Sequence, residues 1–371
     1  MSKRALGIIN IEPSYVHVEG IEDYRPISAT SFMGRYRIID FIISNLTNSG
    51  VNNIEVQVKN RPRSTIQHIQ RTDYNINTKR GHIRILHGEK PIPNEIYNTD
   101  VASLMANLKY FEEDNSPYVI LAPSHFIYVQ DFSKMLDYHI ESKNDITVLY
   151  QNVNSANEDF LMCDTLDIDE NKVITSIDKN LGKGKRAKVS LETYIMSKKI
   201  FVDMIYAALS TSSLYSLSDI IADGLDVFKI GGYLHTGYAA CISTLNSYYK
   251  ASMDIKNEKE LSNIFSDDWP IYTATNDTCP TTYTKTSNVS NCVVGNGCVI
   301  EGTVENCVIG RNVVVKEGAV IKDSIIMPDA LINKNVKMDK CVVDRLAIVT
   351  HIKALNGSDH APLYVKRGDR I

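Results

Sequence analysis

From residue 291 onward an aliphatic side chain returns mostly every five or six residues: Val294, Ile300, Ile309, Val315, Ile321, Ile326, Ile332, Met338 and Val343. Two positions before each mark stands Cys292, Cys298, Cys307, Val313, Ala319, Ser324, Ala330, Val336 or Cys341, all small or β-branched. A branched aliphatic every sixth residue, with a small residue two before it, is the signature of a hexapeptide parallel β-helix. Each coil has three flat faces. The aliphatic points inward and the smaller residue fits a crowded corner. The nine marks amount to about three coils, the number at which stacked coils support themselves. The uneven steps predict a loop near residues 302–305.

The same pattern accounts for most of the cysteines. Four of the seven, Cys292, Cys298, Cys307 and Cys341, take the corner positions, where free cysteine serves as a small apolar filler. No pair has the C-x-x-C spacing of a zinc or redox site, so neither a metal cluster nor disulfides are expected. Beside the inward marks lie Val293, Val299, Val308, Val314, Ile325 and Val342, a row more apolar than a solvated face. Exposed apolar rows mark subunit contacts. The chain is therefore expected to associate as a dimer or tetramer through this domain, with Val308 and Val314 in the contact.

Residues 1–255 follow a different rhythm. Strand-like runs at 8–11, 53–58, 118–122 and 146–151 alternate with helical patterns. "RYRIIDFIISNLTNSG" gathers Ile38, Phe41, Ile42 and Leu46 near one face and stops at Gly50. "NTDVASLMANLKYFEE" offers Asn98 or Thr99 as a cap and Val101, Leu104, Met105, Leu108 and Phe111 as the buried stripe. Such alternation predicts an α/β domain with a mostly parallel sheet, whose ligand sits beyond the carboxyl ends of the strands. Residues 256–286 hold two prolines in "FSDDWPIYTATNDTCPTTYTKT" and no sustained helical period. They read as a linker to the β-helix domain at 287–371.

Several function classes fall away on composition. Net charge is −4, without a lysine/arginine block that would track a phosphate backbone, so nucleic acid is not an expected partner. The apolar stretches are far shorter than the roughly 20 residues that span a bilayer. "MSKRALGIINIEP" lacks the long apolar region of a secretory signal. The expected location is the cytoplasm.

Specific segments narrow the reading. "RPISATSFMGRYRIIDFIISNLTNSGV", "NRPRSTIQHI", "TKRGHIRIL", "NTDVASLMANLKYF", "DFSKMLDYHI", "SYYKASMDI" and "WPIYT" resemble successive segments of the ADP-glucose pyrophosphorylases, the glucose-1-phosphate adenylyltransferases, a branch of the sugar-1-phosphate nucleotidyltransferases. The resemblance covers nearly the whole chain. It implies a Rossmann-like nucleotidyltransferase domain with a mostly parallel mixed sheet, followed by a left-handed parallel β-helix. The family's reaction joins glucose 1-phosphate to the α-phosphate of ATP, with catalysis resting on positioning and electrostatics.

The departures lie where that chemistry would be. The family's Gly-Gly-x-Gly-Thr-Arg turn, which closes backbone N–H groups on the triphosphate, is missing. Residues 10–23 hold one glycine, Gly20, no arginine, and the acids Glu12, Glu19, Glu22 and Asp23. The resemblance implies a Mg²⁺ carboxylate in a Gly-Asp-His segment, but this chain reads Pro123, Ser124, His125. The second carboxylate, from an Arg-Asp-Val-Gly segment, falls at Cys241. The lysine of an Arg-Ala-Lys-Pro segment falls at Ile27. Serine and cysteine do not replace hard oxygen ligands for Mg²⁺, so no cofactor and no catalytic residue is expected. Mg²⁺ would enter only for an active enzyme with an altered site.

Some ligand features remain. Asp178 and Lys179 stand where the family has Glu-Lys-Pro, whose lysine grips the sugar phosphate. Ser190 opens "SLETY", in which Glu192 replaces a glycine and would crowd a sugar. Arg25, Arg35 and Arg37 match basic positions that bind anionic effectors in the family. The resemblance thus points to a non-catalytic regulatory branch, partnered with a catalytic ADP-glucose pyrophosphorylase subunit and responsive to a sugar-phosphate effector. Three other readings stand open. One is an active nucleotidyltransferase with the acids of the N-terminal turn as metal ligands, a reading that convergence of Asp100, Asp131 or Asp164 on the pocket would favour. Another is a stand-alone sugar-phosphate sensor. The third is a hexapeptide acyltransferase, for which His351, past the last regular coil, would be the candidate general base.

Overall fold

The computed structural model describes all residues except 1–3, 19, 60, 89–98, 213 and 255. Glu19 and the candidate cap Asn98 lie outside the described residues. Thr99 caps helix Asp100–Ala106, its hydroxyl accepting from the Ala102 N–H.

A nine-stranded mixed sheet forms the first domain. In chain order its strands are β1 (Ala5–Asn10), β2 (Asn53–Val58), β3 (His82–His87), β4 (Tyr118–Pro123), β5 (Ile146–Val153), β6 (Asp164–Ile168), β7 (Ile174–Lys179), β8 (Ala187–Ser197) and β9 (Ile230–His235). β4, β1, β2 and β3 pair parallel. β8 runs antiparallel to β4 and to β5, and β9 runs parallel to β5. The central strands are near-continuous apolar runs because both faces are covered. Leu6 and Ile8 pack with helix Lys198–Thr211 on one side, and Ile9 packs with helices Ile38–Asn48 and Phe132–Ser142 on the other. Among the described residues no helix is long and apolar enough to cross a membrane.

The second domain is a left-handed parallel β-helix of three five-stranded parallel sheets. Its first strand, Thr282–Tyr283, pairs with Val299–Ile300, and helix Glu258–Ile264 lies inside the span expected to be linker. The inward marks are buried: Ile300, Ile309, Val315, Ile321, Ile326, Ile332 and Val343 are each 0% exposed. Cys298, Cys307 and Cys341 fill corners beside them. The loop expected at 302–305 is not there. Thr303–Glu305 is a strand whose Val304 points inward, with Gly302 two positions earlier. Val304 is the mark missing between Ile300 and Ile309, and Val349, Leu355 and Val365 carry the rows past Val343, so each face has five rungs where about three coils were expected.

One outward row has a different fate from the one expected. Val308, Ile325 and Val342 are 2%, 3% and 0% exposed. They pack with Met327 against Ile21, Ile27, Phe32, Phe41 and Tyr248 of the α/β domain. Val308 is thus an internal domain contact and not a subunit contact. The periodicity distinguished inside from outside, but the chain's own first domain covers this outside face. A different face keeps a half-exposed column, Val299, Val314, Leu331 and Ile348, aligned rung on rung.

Candidate functional site

The residues after the carboxyl ends of β1 and β4 meet β8 and the strand Ala239–Cys241, and they close on one another. Tyr15, in the turn after β1, places its hydroxyl 3.1 Å from His125 Nε2 and 3.6 Å from Cys163 Sγ. The same hydroxyl donates to Glu192 Oε1. Cys163 Sγ lies 3.7 Å from Cys241 Sγ. Glu192 stands at a β-bulge in β8, between Ser190 and Thr193, with φ 48°. Glycine is the usual occupant of such a left-handed position. Here a carboxylate takes it and projects into the cleft, its side chain 15% exposed.

Burial raises or lowers the pKa of each group here toward its neutral form. His125 is fully buried and its pKa falls to about 3, so it carries no charge to offset Glu192 Oε2 at 3.7 Å. Burial holds the Tyr15 phenol well above its usual range, and the Glu192 carboxylate adds to this. Burial also lifts the Cys163 thiol. Glu192 itself rises to about 7, chiefly through desolvation and further through Asp164, against the Tyr15 hydrogen bond that lowers it. The free carboxyl titrates at 4.5, so the folded state holds this proton more tightly than the unfolded chain. Stability linked to Glu192 is full below pH 4.5 and is lost as pH rises through 7. The expected loss is about 3 kcal/mol. Unfolding titrations of wild type and Glu192→Gln across that window should diverge by this amount. A pH-independent difference between the two would contradict the assignment.

The donor set at the two positions implied for Mg²⁺ does not fit that ion. Ser124 offers a buried hydroxyl without a hydrogen-bond partner, and Cys241 offers a thiol against Cys163. Ile27, where a lysine is implied, is 0% exposed inside the apolar cluster between the domains. Asp164 faces the cleft but is taken by Lys179, Nζ to Oδ1 2.5 Å. Asp100 accepts from Asn10 Nδ2 at 2.9 Å and from the Leu217 N–H. Asp131 caps helix Phe132–Ser142 and does not join them. Of the substrate-like residues, Lys179 is bound to Asp164, and the Ser190 hydroxyl accepts from the Glu192 N–H at 3.1 Å. Asp178 is exposed and accepts from Ser176 at 2.8 Å.

A second cavity, about 720 Å³, lies between the two domains. The α/β domain lines it with Arg25, Arg35, Arg37, Arg63 and Arg71, and the β-helix with Arg311, Arg345 and Arg367. Among the described residues, Asp329 is the one carboxylate that lines its wall. It is held by Arg345 Nη2 at 2.8 Å. The crowding bears on Arg37, whose pKa falls to about 10 through burial and then through Arg345 and Arg25, against Asp40, which raises it. Arg25 is a special case. It is 3% exposed and gives Nη2 to Asp344 Oδ1 at 2.7 Å, while its Nε and Nη1 meet no protein acceptor. Part of its guanidinium therefore serves as a pin between the domains. The arginines of the β-helix share one corner. Ile309, Ile326, Val343 and Val365 stack in register, and the residues two beyond them are Arg311, Pro328, Arg345 and Arg367. A basic residue two after the inward mark is the signal that would have found them.

Two family models and several curated proteins match the chain. The nucleotidyl transferase model covers residues 25–258, and that of the GlmU-like C-terminal hexapeptide domain covers 278–361. The glycogen biosynthesis protein GlgD of Bacillus subtilis (strain 168) is 28% identical over 99% of this chain and 97% of its own length. A glucose-1-phosphate adenylyltransferase of Lachnospira eligens is 30% identical over 78% of this chain and 69% of its own. That of Mycoplasma mobile is 29% identical over 79% and 77%.

Proposed function

The chain belongs to the nucleotidyl transferase family, in its glucose-1-phosphate adenylyltransferase branch, and from that premise we propose that it is a non-catalytic regulatory subunit. It acts in glycogen biosynthesis by modulating a catalytic ADP-glucose pyrophosphorylase subunit. The observation that carries this reading is the filled cleft. Tyr15 and Glu192 bond to each other where the family keeps its triphosphate turn and a sugar-facing glycine. Neither a nucleotide nor a sugar enters without displacing both.

The arginine cavity supplies the regulatory half. Eight guanidiniums, two of them already paired with Asp344 and Asp329, suit an anion with more than one phosphate. Because the arginines come from both domains, such an anion bridges the interface. A sugar phosphate is the ligand class that this chemistry and the family favour. The half-exposed column Val299, Val314, Leu331 and Ile348 is the surface that self-association or the catalytic partner would cover.

Thermal unfolding with a hexose bisphosphate tests the cavity. At a hundred times Kd the ligand should add about 2.7 kcal/mol of stability. The variants Arg35→Gln and Arg311→Gln should each weaken binding at least about tenfold. Equal stabilisation by chloride at the same ionic strength, or unchanged binding in both variants, would contradict an anion site here.

A further inference from the structure

At the opposite pole of the sheet from the cleft lies another cavity, about 710 Å³, a volume that accommodates a small-molecule ligand. It opens at the amino ends of β1, β2 and β3 and at residues 114–116 ahead of β4. On its wall is Glu55, a carboxylate only 1% exposed. Glu55 Oε1 accepts from His82 Nε2 at 2.9 Å and lies 3.5 Å from Arg84 Nη1. Among the described residues its Oε2 has no hydrogen-bond partner. A buried carboxylate oxygen left without a donor is rare in folded proteins and calls for one from elsewhere. Beside it the Arg84 guanidinium lies 4.8 Å from the centre of the Tyr110 ring, which is 42% exposed.

The charge on this wall distinguishes it from the arginine cavity. Arg4, Arg80 and Arg84 face Glu55, Glu113 and Asp114, three cations against three anions. A phosphate entering here meets carboxylates and gains little. A hydroxyl group both donates and accepts. Vicinal hydroxyls can therefore donate to Glu55 Oε2 and accept from Arg84, while Tyr110 offers its ring to the C–H face of a pyranose. We infer that this cavity is a binding site for a neutral polyhydroxylated ligand, a short oligosaccharide, held by Glu55, Arg84 and Tyr110. It shares no residue with the cleft or the arginine cavity, so it stands or falls apart from the regulatory reading.

Calorimetric titration of the full chain with maltotriose and with cellotriose tests the assignment. At least one trisaccharide should bind with Kd on the order of 1 mM or tighter. Tyr110→Ala, a surface change that leaves the core intact, and Glu55→Gln should each weaken it about tenfold. Inorganic phosphate at matched ionic strength should not compete. The inference is overturned if neither sugar saturates, if both variants bind within about threefold of wild type, or if phosphate displaces the sugar. Should Glu55→Gln fail to fold, the Tyr110→Ala result decides.

Discussion

Purified alone and supplied with ATP, glucose 1-phosphate and Mg²⁺, the chain is expected to form ADP-glucose no faster than a protein-free control. Ordinary enzymes turn over at about 1–10³ s⁻¹, so the expected deficit spans orders of magnitude. Its causes are independent of one another. Tyr15 and Glu192 fill the cleft. Ser124 and Cys241 stand at the implied metal positions. Ile27 is buried where a lysine is implied. Restoring carboxylates with Ser124→Asp and Cys241→Asp should therefore fail to produce turnover. The acids still available do not rescue it, because Asp164 is bound by Lys179 and Asp100 by Asn10 and the Leu217 N–H. Appearance of ADP-glucose at an ordinary enzymatic rate, in wild type or in the double variant, would show that the cleft opens.

Asp344→Ala is expected to cost about 3–5 kcal/mol of stability, the usual penalty for stranding one member of a buried ion pair. Asp344 is 0% exposed and accepts from Arg25 Nη2 at 2.7 Å and Tyr364 Oη at 2.6 Å. Arg25 already has Nε and Nη1 without protein partners. Removing Asp344 leaves the guanidinium only Met327 Sδ, at 3.2 Å. Pairing the change with Arg25→Met should recover much of the loss, because an apolar side chain suits the surrounding cluster of Ile27, Met327 and Val342. Denaturant unfolding of the two single variants and the double variant measures this. A single-variant loss under about 1 kcal/mol would place the pair among weak, solvated ion pairs.

The parts legible in the sequence were those governed by a strict local period. Inward marks and corner residues of the β-helix follow from stacking. Val349, Leu355 and Val365 continue the rows beyond Val343, where the reading stopped, and within the span read all marks but Val304 were visible. That one was hidden because the coil at 295–310 is shorter than its successors: Val299 to Val314 is fifteen residues, whereas Val314 to Leu331 is seventeen. Glu192 was visible as a side chain where glycine is implied. Tyr15 was not, because nothing in "NIEPSY" fixes where an irregular turn sends its ring. Arg25, Arg35 and Arg37 were found through resemblance, whereas Arg311, Arg345 and Arg367 needed the rung register to bring positions far apart in the chain to one corner. The fate of Val308 was beyond any period. Alternation says which side of a strand is outward, and only the docked domain decides whether outward means solvent.

The central claim is that this chain changes another subunit's catalysis without performing any. The most direct test is the rate of ADP-glucose synthesis by a catalytic glucose-1-phosphate adenylyltransferase subunit, alone and with increasing amounts of this chain, at fixed substrate. The expected result is a saturable change in the partner's rate or effector response. Arg35→Gln in this chain should alter the effector response, and Val314→Lys should abolish the rate change. A partner rate unaffected at every ratio, with no complex detected by sedimentation, would contradict it.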